Sequence, residues 1–86
     1  MANQMNLSSS QIRYLLAMKK LSDTNGEIRS VELASELGYS KPSVHAMIRT
    51  LSAMNLVEKE PYGTVYFTLQ GKETAEQYAQ YYYWRR

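Results

Sequence analysis

The chain has no cysteine among its 86 residues. That excludes a disulfide scaffold, thiolate zinc ligation and thiol catalysis, and it leaves the redox compartment open. No apolar run approaches the roughly 18–20 residues needed to span a bilayer. The first residues, Met1-Ala2-Asn3-Gln4-Met5-Asn6, offer no basic segment followed by an apolar one, so no signal peptide is expected. Strong charge of either sign is missing too. Ten Lys and Arg against eight Asp and Glu leave +2, an excess that identifies no partner by itself. Internal repeats, linkers and low-complexity blocks are absent. The single histidine has no acid or nucleophile arranged with it, and there is no glycine-rich phosphate loop, so no enzyme is expected.

What is present is a small globular domain. An apolar content of 44% argues against disorder. A chain of this length buries roughly 60% of its unfolded surface, a modest core that a partner chain would help. We expect a flexible arm at 1–7 and one domain at 8–86, cytoplasmic, with no cofactor and no small-molecule substrate.

The hydrophobic period assigns the elements. Ser8-Ser9-Ser10 offers capping hydroxyls to a first helix, whose free N–H groups need acceptors. Ile12, Leu15, Leu16, Met18 and Leu21 mark its apolar face to about Ser22. Asp23-Thr24-Asn25-Gly26 is expected to stop it. Glu27-Ile28-Arg29 is long enough only for a bridging strand. Ser30 is placed to cap a second helix, with Val31, Leu33, Ala34 and Leu37 as its buried side and Gly38 beyond its end. Ser40 is placed to cap a third helix, in whose first turn Pro42 is tolerated. Val44, Met47, Ile48 and Leu51 stand at i, i+3, i+4, i+7, and Asn55 closes the helix. The period then shortens. Leu56-Val57-Glu58-Lys59 and Thr64-Val65-Tyr66-Phe67 are β-prone, with turn chemistry at Glu60-Pro61-Tyr62-Gly63, so they predict a hairpin. Thr68 is placed to cap a last helix carrying the stripe Ala75, Tyr78, Ala79 and Tyr82. The expected class is mainly α with a small β-hairpin, in the order α-β-α-α-β-β-α.

Two short helices joined by Leu37-Gly38-Tyr39-Ser40 read as a helix-turn-helix, and the hairpin after them as a wing. If Val44 and Ile48 hold the third helix on the core, Pro42, Ala46, Arg49 and Ala53 face outward, flanked by His45 and Thr50. Lys41 and Ser43 lie at its N-terminal end, where recognition helices reach base edges. Small outward residues let a helix enter a groove about 12 Å wide. No carboxylate occurs between Glu36 and Glu58, whereas Lys41, His45 and Arg49 do. A polyanion responds to that local potential rather than to net charge. Helix 41–54 is therefore the candidate recognition helix. Tyr62 at the wing tip, with Lys59 beside it, is a candidate for the sugar-phosphate backbone. His45 lacks a second donor one turn away, because Lys41, Pro42, Ile48 and Arg49 occupy those positions, so a metal site there is not expected.

Residues from about Ser10 to Ala79 resemble the N-terminal domain of the diphtheria-toxin-repressor and manganese-transport-regulator family. The stretches that carry the resemblance are Tyr14-Leu15-Leu16, the run Ile28 to Ala34 with Leu37-Gly38, and Ser40-Lys41-Pro42-Ser43-Val44. Leu56-Val57-Glu58, Tyr62-Gly63 and Phe67 to Lys72 complete it. The multiple-antibiotic-resistance regulators share the exit from the wing. The resemblance implies a winged helix-turn-helix repressor of transcription that binds double-stranded DNA. It implies base contact from Ser40, Pro42 and Ala46, and phosphate contact from Arg29 and Ser30. It also implies a regulatory metal held by carboxylates of the first helix and a histidine after the wing. Those positions fall on Arg13 and Leu16, and near Tyr82, so metal sensing is not expected. Nor does the sequence show the family's later metal-binding and dimerisation domain.

The C-terminal aromatics have a separate reading. Tyr82, Tyr83 and Trp84 are consecutive and point about 100° apart on a helix, so one intramolecular face does not take all three. Tyr and Trp are favoured in interface cores. A homodimer through Tyr78, Tyr81, Tyr82 and Trp84 is expected, or contact with a domain beyond this chain. Two alternatives to the DNA-binding repressor stand beside it. One is a winged-helix protein-interaction module, favoured if Glu27, Glu32 and Glu36 share a surface with Lys41 and Arg49. The other is a metal-gated repressor of the same family.

Overall fold

A computed structural model of the chain describes residues 7–84, excluding the side chains of Tyr83 and Trp84. Residues 1–6 of the expected arm lie outside the described residues, and Leu7 is partly buried against the core. The order is α1 (Ser9–Asn25), β1 (Ile28–Arg29), α2 (Ser30–Leu37), α3 (Lys41–Ala53), β2 (Val57–Lys59), β3 (Thr64–Phe67) and α4 (Leu69–Trp84). The strands form an antiparallel sheet in the order β1-β3-β2. Ile28 pairs with Val65 on one side of β3, and Val57, Glu58 and Lys59 pair with Phe67, Tyr66 and Val65 on the other. This is the expected winged helix-turn-helix.

The core is one cluster that every element feeds. Leu15, Met18, Leu33, Val44, Ile48, Leu51, Leu56, Val65 and Ala75 have no exposed surface at all. Burying a side chain of this kind is worth roughly 1.5–3 kcal/mol over leaving it exposed, so the core fixes how α1, α2, α3 and α4 sit. Tyr14 joins them, its ring centroid 5.6 Å from that of Tyr39. Burial, with Tyr39 beside it as a smaller cause, pushes the Tyr14 phenol above its ordinary value.

Three local expectations are corrected. The first helix does not stop near Ser22 but runs to Asn25. The Lys19–Asp23 ion pair spans one turn at 2.7 Å and carries the helix through the polar cluster. Only Gly26, at φ 81°, takes the left-handed conformation that ends it, its N–H donating to the Ser22 carbonyl. Secondly, Ser30 does not cap α2. Arg29 is the N-cap residue and gives no side-chain cap, because the extended β1 leads directly into the helix. The buried stripe on α2 is Ser30, Leu33 and Ala34, with Leu37 half-buried, and Val31 is turned out at 58% exposure. Thirdly, Tyr82 leaves the expected stripe on α4. Gly71, Ala75 and Ala79 are buried and Tyr78 half-buried, but Tyr82 is exposed.

The other caps follow the sequence. Ser8 and Gln11 form a reciprocal capping box at 3.0 Å in both directions. Thr68 Oγ1 accepts from the Gly71 N–H at 2.9 Å and donates to the Asn55 carbonyl at 2.7 Å. One hydroxyl thus ties the start of α4 to the exit from α3. Asn55, at φ 65°, makes the reversal there. Gly71 is required at this crossing, since a Cβ would overlap the Leu56 carbonyl.

Candidate nucleic-acid interface

The helix-turn-helix places a small, cationic helix face in solvent. Gly38 closes α2, its N–H donating to the Ala34 carbonyl at 2.8 Å. Ser40 then caps α3: its Oγ accepts from the Ser43 N–H at 3.3 Å and donates to Ser43 Oγ at 3.0 Å. Val44, Ile48 and Leu51 are fully buried and Met47 half-buried. That stripe leaves Lys41, Pro42, Ser43, His45, Ala46, Arg49, Thr50 and Ala53 exposed. The helix carries no carboxylate, and among the described residues Lys41 and Arg49 form no ion pair. Thr50 Oγ1 donates to the Ala46 carbonyl at 3.1 Å, so its free lone pair is an acceptor on this face.

The flanking residues divide. Arg29 is exposed beside the start of α2, with Glu27 at 4.0 Å as a distant partner. Ser30, the other expected phosphate contact, is 7% exposed. Its N–H donates to the Gly63 carbonyl at 2.9 Å, and a Cβ on Gly63 would stand 3.2 Å from its hydroxyl. Its amide is engaged and its side chain is largely buried, so Ser30 latches the wing to α2. The wing turn closes through Glu60 and Thr64, and leaves Tyr62 92% exposed at the tip. Lys59 is exposed, but between the exposed Glu58 and Glu60. These three residues carry a net charge of about −1, which opposes a polyanion more than it attracts one.

The glutamates that would spoil the α3 face are engaged elsewhere. Glu36 pairs with Lys20 at 2.8 Å, and Glu32 accepts from Asn25 Nδ2 at 3.2 Å, both on the C-terminal half of α1. Glu27 lies near Arg29. Glu32 and Glu36 are thus drawn toward α1, while Glu27 stays beside Arg29.

Two contacts near α3 were not legible in the sequence. Arg13 Nη1 donates to the Tyr39 hydroxyl at 3.1 Å across 26 residues of chain. Beside them a cleft of about 450 Å³ is lined by Ser10, Tyr14, Tyr39, Ser43, Ala46, Met47 and Thr50. No sequence period pairs residues so far apart. The one signal was an arginine where the family resemblance placed a carboxylate.

At the far end of α4, Tyr78 is half-buried, while Tyr81 and Tyr82 are 56% and 44% exposed with ring centroids 5.4 Å apart, edge to face. The Trp84 side chain lies outside the described residues.

A winged helix-turn-helix with a carboxylate-free third helix defines the class as a DNA-binding domain. The model of the family described as iron dependent repressor, N-terminal DNA binding domain, matches residues 6–65, and the chain belongs to that family of transcriptional regulators. It is 38% identical over 52 residues to the transcriptional regulator MntR of Escherichia coli, covering 60% of this chain and 34% of that protein. The chain thus spans about a third of the length of the curated relatives it matches. Solved structures share the fold. A MarR mutant from Escherichia coli, complexed with operator DNA, superposes with a TM-score of 0.72 at 23% identity, over 87% of this chain and 55% of that one. The IdeR of T. acidophilum gives 0.71 at 20% identity, over 86% of this chain and 34% of that one.

The family's description implies iron. The residues here do not fit it. Arg13 is a cation with a donor already given to Tyr39, and Leu16 is apolar and half-buried. Among the described residues no three His, Asp or Glu side chains gather where they could hold a metal ion. Among the same residues no helix is long and apolar enough to cross a membrane.

Proposed function

We propose that this chain reads double-stranded DNA by sequence, as a cytoplasmic transcriptional repressor, with α3 seated in the major groove. The observation that carries the reading is the exposed face of α3, cationic and short in its side chains, with both acids of the neighbouring α2, Glu32 and Glu36, engaged by α1. Ser40, Lys41, Pro42, Ser43, His45, Ala46 and Thr50 face base edges, and Arg49 and Arg29 hold phosphates. Lys59 and Tyr62 lie along the backbone, with Tyr62 making the closer approach. The operator complex of the MarR mutant supports DNA as the partner of this fold. Residues 8–86 act as one domain, without catalytic chemistry.

Two copies pair through Tyr78, Tyr81, Tyr82 and Trp84. Their α3 helices then sit about 34 Å apart and read a near-palindrome. Selection of bound duplexes from a random pool tests both statements. A recovered inverted repeat supports them, and a pool that never enriches refutes DNA reading. Sedimentation at micromolar concentration tests the pairing separately, since a monomer there refutes the tyrosine interface.

A further inference from the structure

α1 carries cations along its length, and the structure sorts them. Lys19 and Lys20, in its C-terminal half, are paired with Asp23 and Glu36 at 2.7 and 2.8 Å. Arg13, in its N-terminal half, is exposed and among the described residues meets only a neutral acceptor, the Tyr39 hydroxyl at 3.1 Å. A phenol oxygen takes one N–H of a guanidinium that has five and leaves its charge intact. The uncompensated charge on α1 is therefore concentrated at the end beside the helix-turn-helix.

Tyr39 fixes where that charge stands. It lies in the link between α2 and α3, and its ring packs on Tyr14 at 5.6 Å. The adjoining cleft has Ser43, Ala46 and Thr50 of α3 as one wall and Ser10 of α1 on the other side. Its lining is hydroxyl-rich and holds no carboxylate. A helix in the major groove is bordered by a phosphate strand, and the α1 side of α3 offers that strand a guanidinium with donors to spare. Arg suits this role because its planar fork takes phosphate oxygens two at a time.

We infer that Arg13, steadied by the Tyr39 hydroxyl, is a phosphate anchor that brings α1 into the DNA interface. The inference rests on the DNA-binding reading above. It gives Arg13 a task at a position where the family resemblance placed a metal carboxylate. Arg13 contacts backbone and not base, so it contributes to affinity for every sequence and to salt dependence, without changing the preferred site.

The test is fluorescence anisotropy with the full chain and a selected duplex, from about 50 to about 200 mM salt. The variants are Arg13→Ala, Arg13→Gln, Tyr39→Phe and Arg49→Ala, each checked for folding by circular dichroism. Neutralising one phosphate contact lowers the log–log salt slope by about 0.9. Both Arg13 variants are expected to show that drop on cognate and random duplexes alike, while Tyr39→Phe keeps the slope. Methylphosphonate scanning is expected to find one backbone position that costs the parent protein affinity and costs Arg13→Gln none. Wild-type affinity in both Arg13 variants, with Arg49→Ala weakened, overturns the anchor and leaves DNA binding standing. Weaker binding at an unchanged slope also overturns it, because Arg13 then acts only through the α2–α3 link. No duplex binding by the parent protein overturns both.

Discussion

Replacing Arg49 by alanine removes one uncompensated cation from the middle of the exposed α3 face and disturbs no buried contact. Its effect can be worked from the charges in place. Arg13, Arg29, Lys41 and Arg49 are exposed on or beside the proposed interface, and Lys59 is offset by Glu58 and Glu60. With Lys41 directed to base edges, phosphate contacts from Arg13, Arg29 and Arg49 at about 0.9 each give a salt slope near −2.7 per protomer. A fourfold rise in salt then weakens binding by about 40-fold. With Arg49→Ala the slope falls to about −1.8 and the same rise costs about 12-fold. The assay is a titration of labelled duplex at several salt concentrations, on cognate and scrambled sequences. The drop in slope should be the same on both, since a phosphate contact carries no sequence information. If Arg49→Ala kept the parent slope, α3 would be facing the wrong way. A loss confined to the cognate duplex would instead make Arg49 a reader of bases.

Three further outcomes follow from other parts of the molecule. Gly71→Ala gains helix propensity of about 1 kcal/mol but drives a methyl into the Leu56 carbonyl. Overpacking against backbone costs more than that, so net destabilisation of about 2 kcal/mol is expected, read as a melting point lowered by roughly 10 °C. An unchanged melting point would mean that α4 does not approach the Leu56 backbone so closely. The raised Tyr14 phenol sets an alkaline limit. Below pH about 10 it is neutral folded and unfolded alike, but as pH rises further the unfolded chain ionises first, and stability falls until the folded phenol also ionises. Urea melts across that range should show the fall, and Tyr14→Phe should remove this residue's share of it. Chelation should leave DNA affinity of the chain unchanged, because Arg13 and Leu16 supply no metal ligand; a loss in EDTA restored by manganese or ferrous ion would refute this.

The legible part of the molecule is the part that repeats at short range. Val44, Met47, Ile48 and Leu51 recur at the helical period, and the structure buries them or half-buries them as that period requires. Ser8, Ser40 and Thr68 cap as hydroxyls do when they precede an apolar run. The errors arose where a local signal met a tertiary constraint. Ser30 has the chemistry of a cap and of a phosphate ligand, but the wing turn comes back from Gly63 to cover it, and nothing within 30 residues announces that. Val31 is as apolar as Leu33, yet the stripe set by Ser30, Leu33 and Ala34 turns it outward. Asp23-Thr24-Asn25 breaks helices in isolation, but a lysine one turn earlier kept the helix intact. Arg13 with Tyr39 was invisible for a plainer reason: the pair joins two elements, and a periodicity describes only one.

Charge separation within so nearly neutral a chain explains how it can address a polyanion. The acids are not fewer than usual; they are placed. Glu36 and Asp23 meet Lys20 and Lys19 at the C-terminal half of α1, and Glu32 turns to Asn25 there. Exposed pairs of this kind add little stability, typically under 1 kcal/mol each. Their larger effect is on the field. Lys20–Glu36 neutralises a cation of α1 together with a carboxylate of α2, Asn25 holds the Glu32 carboxylate of α2 toward α1, and Lys19–Asp23 closes a cation and an acid on α1 itself. Among the described residues, Lys41 and Arg49 of α3 and Arg13 in the N-terminal half of α1 carry no ion pair, and neither do Lys59 of β2 and Lys72 of α4. Reversing one pair tests whether placement matters more than total. Exchanging Lys20 and Glu36 keeps net charge and the ion pair while moving the carboxylate to α1 and the cation to α2. That double variant should bind DNA at least as well as the parent with a similar salt slope, whereas Lys20→Glu alone should weaken binding through the field of two unpaired acids. Equal binding by all three chains would mean that the duplex does not sense this side of the molecule, and that the segregation of charge has no bearing on recognition.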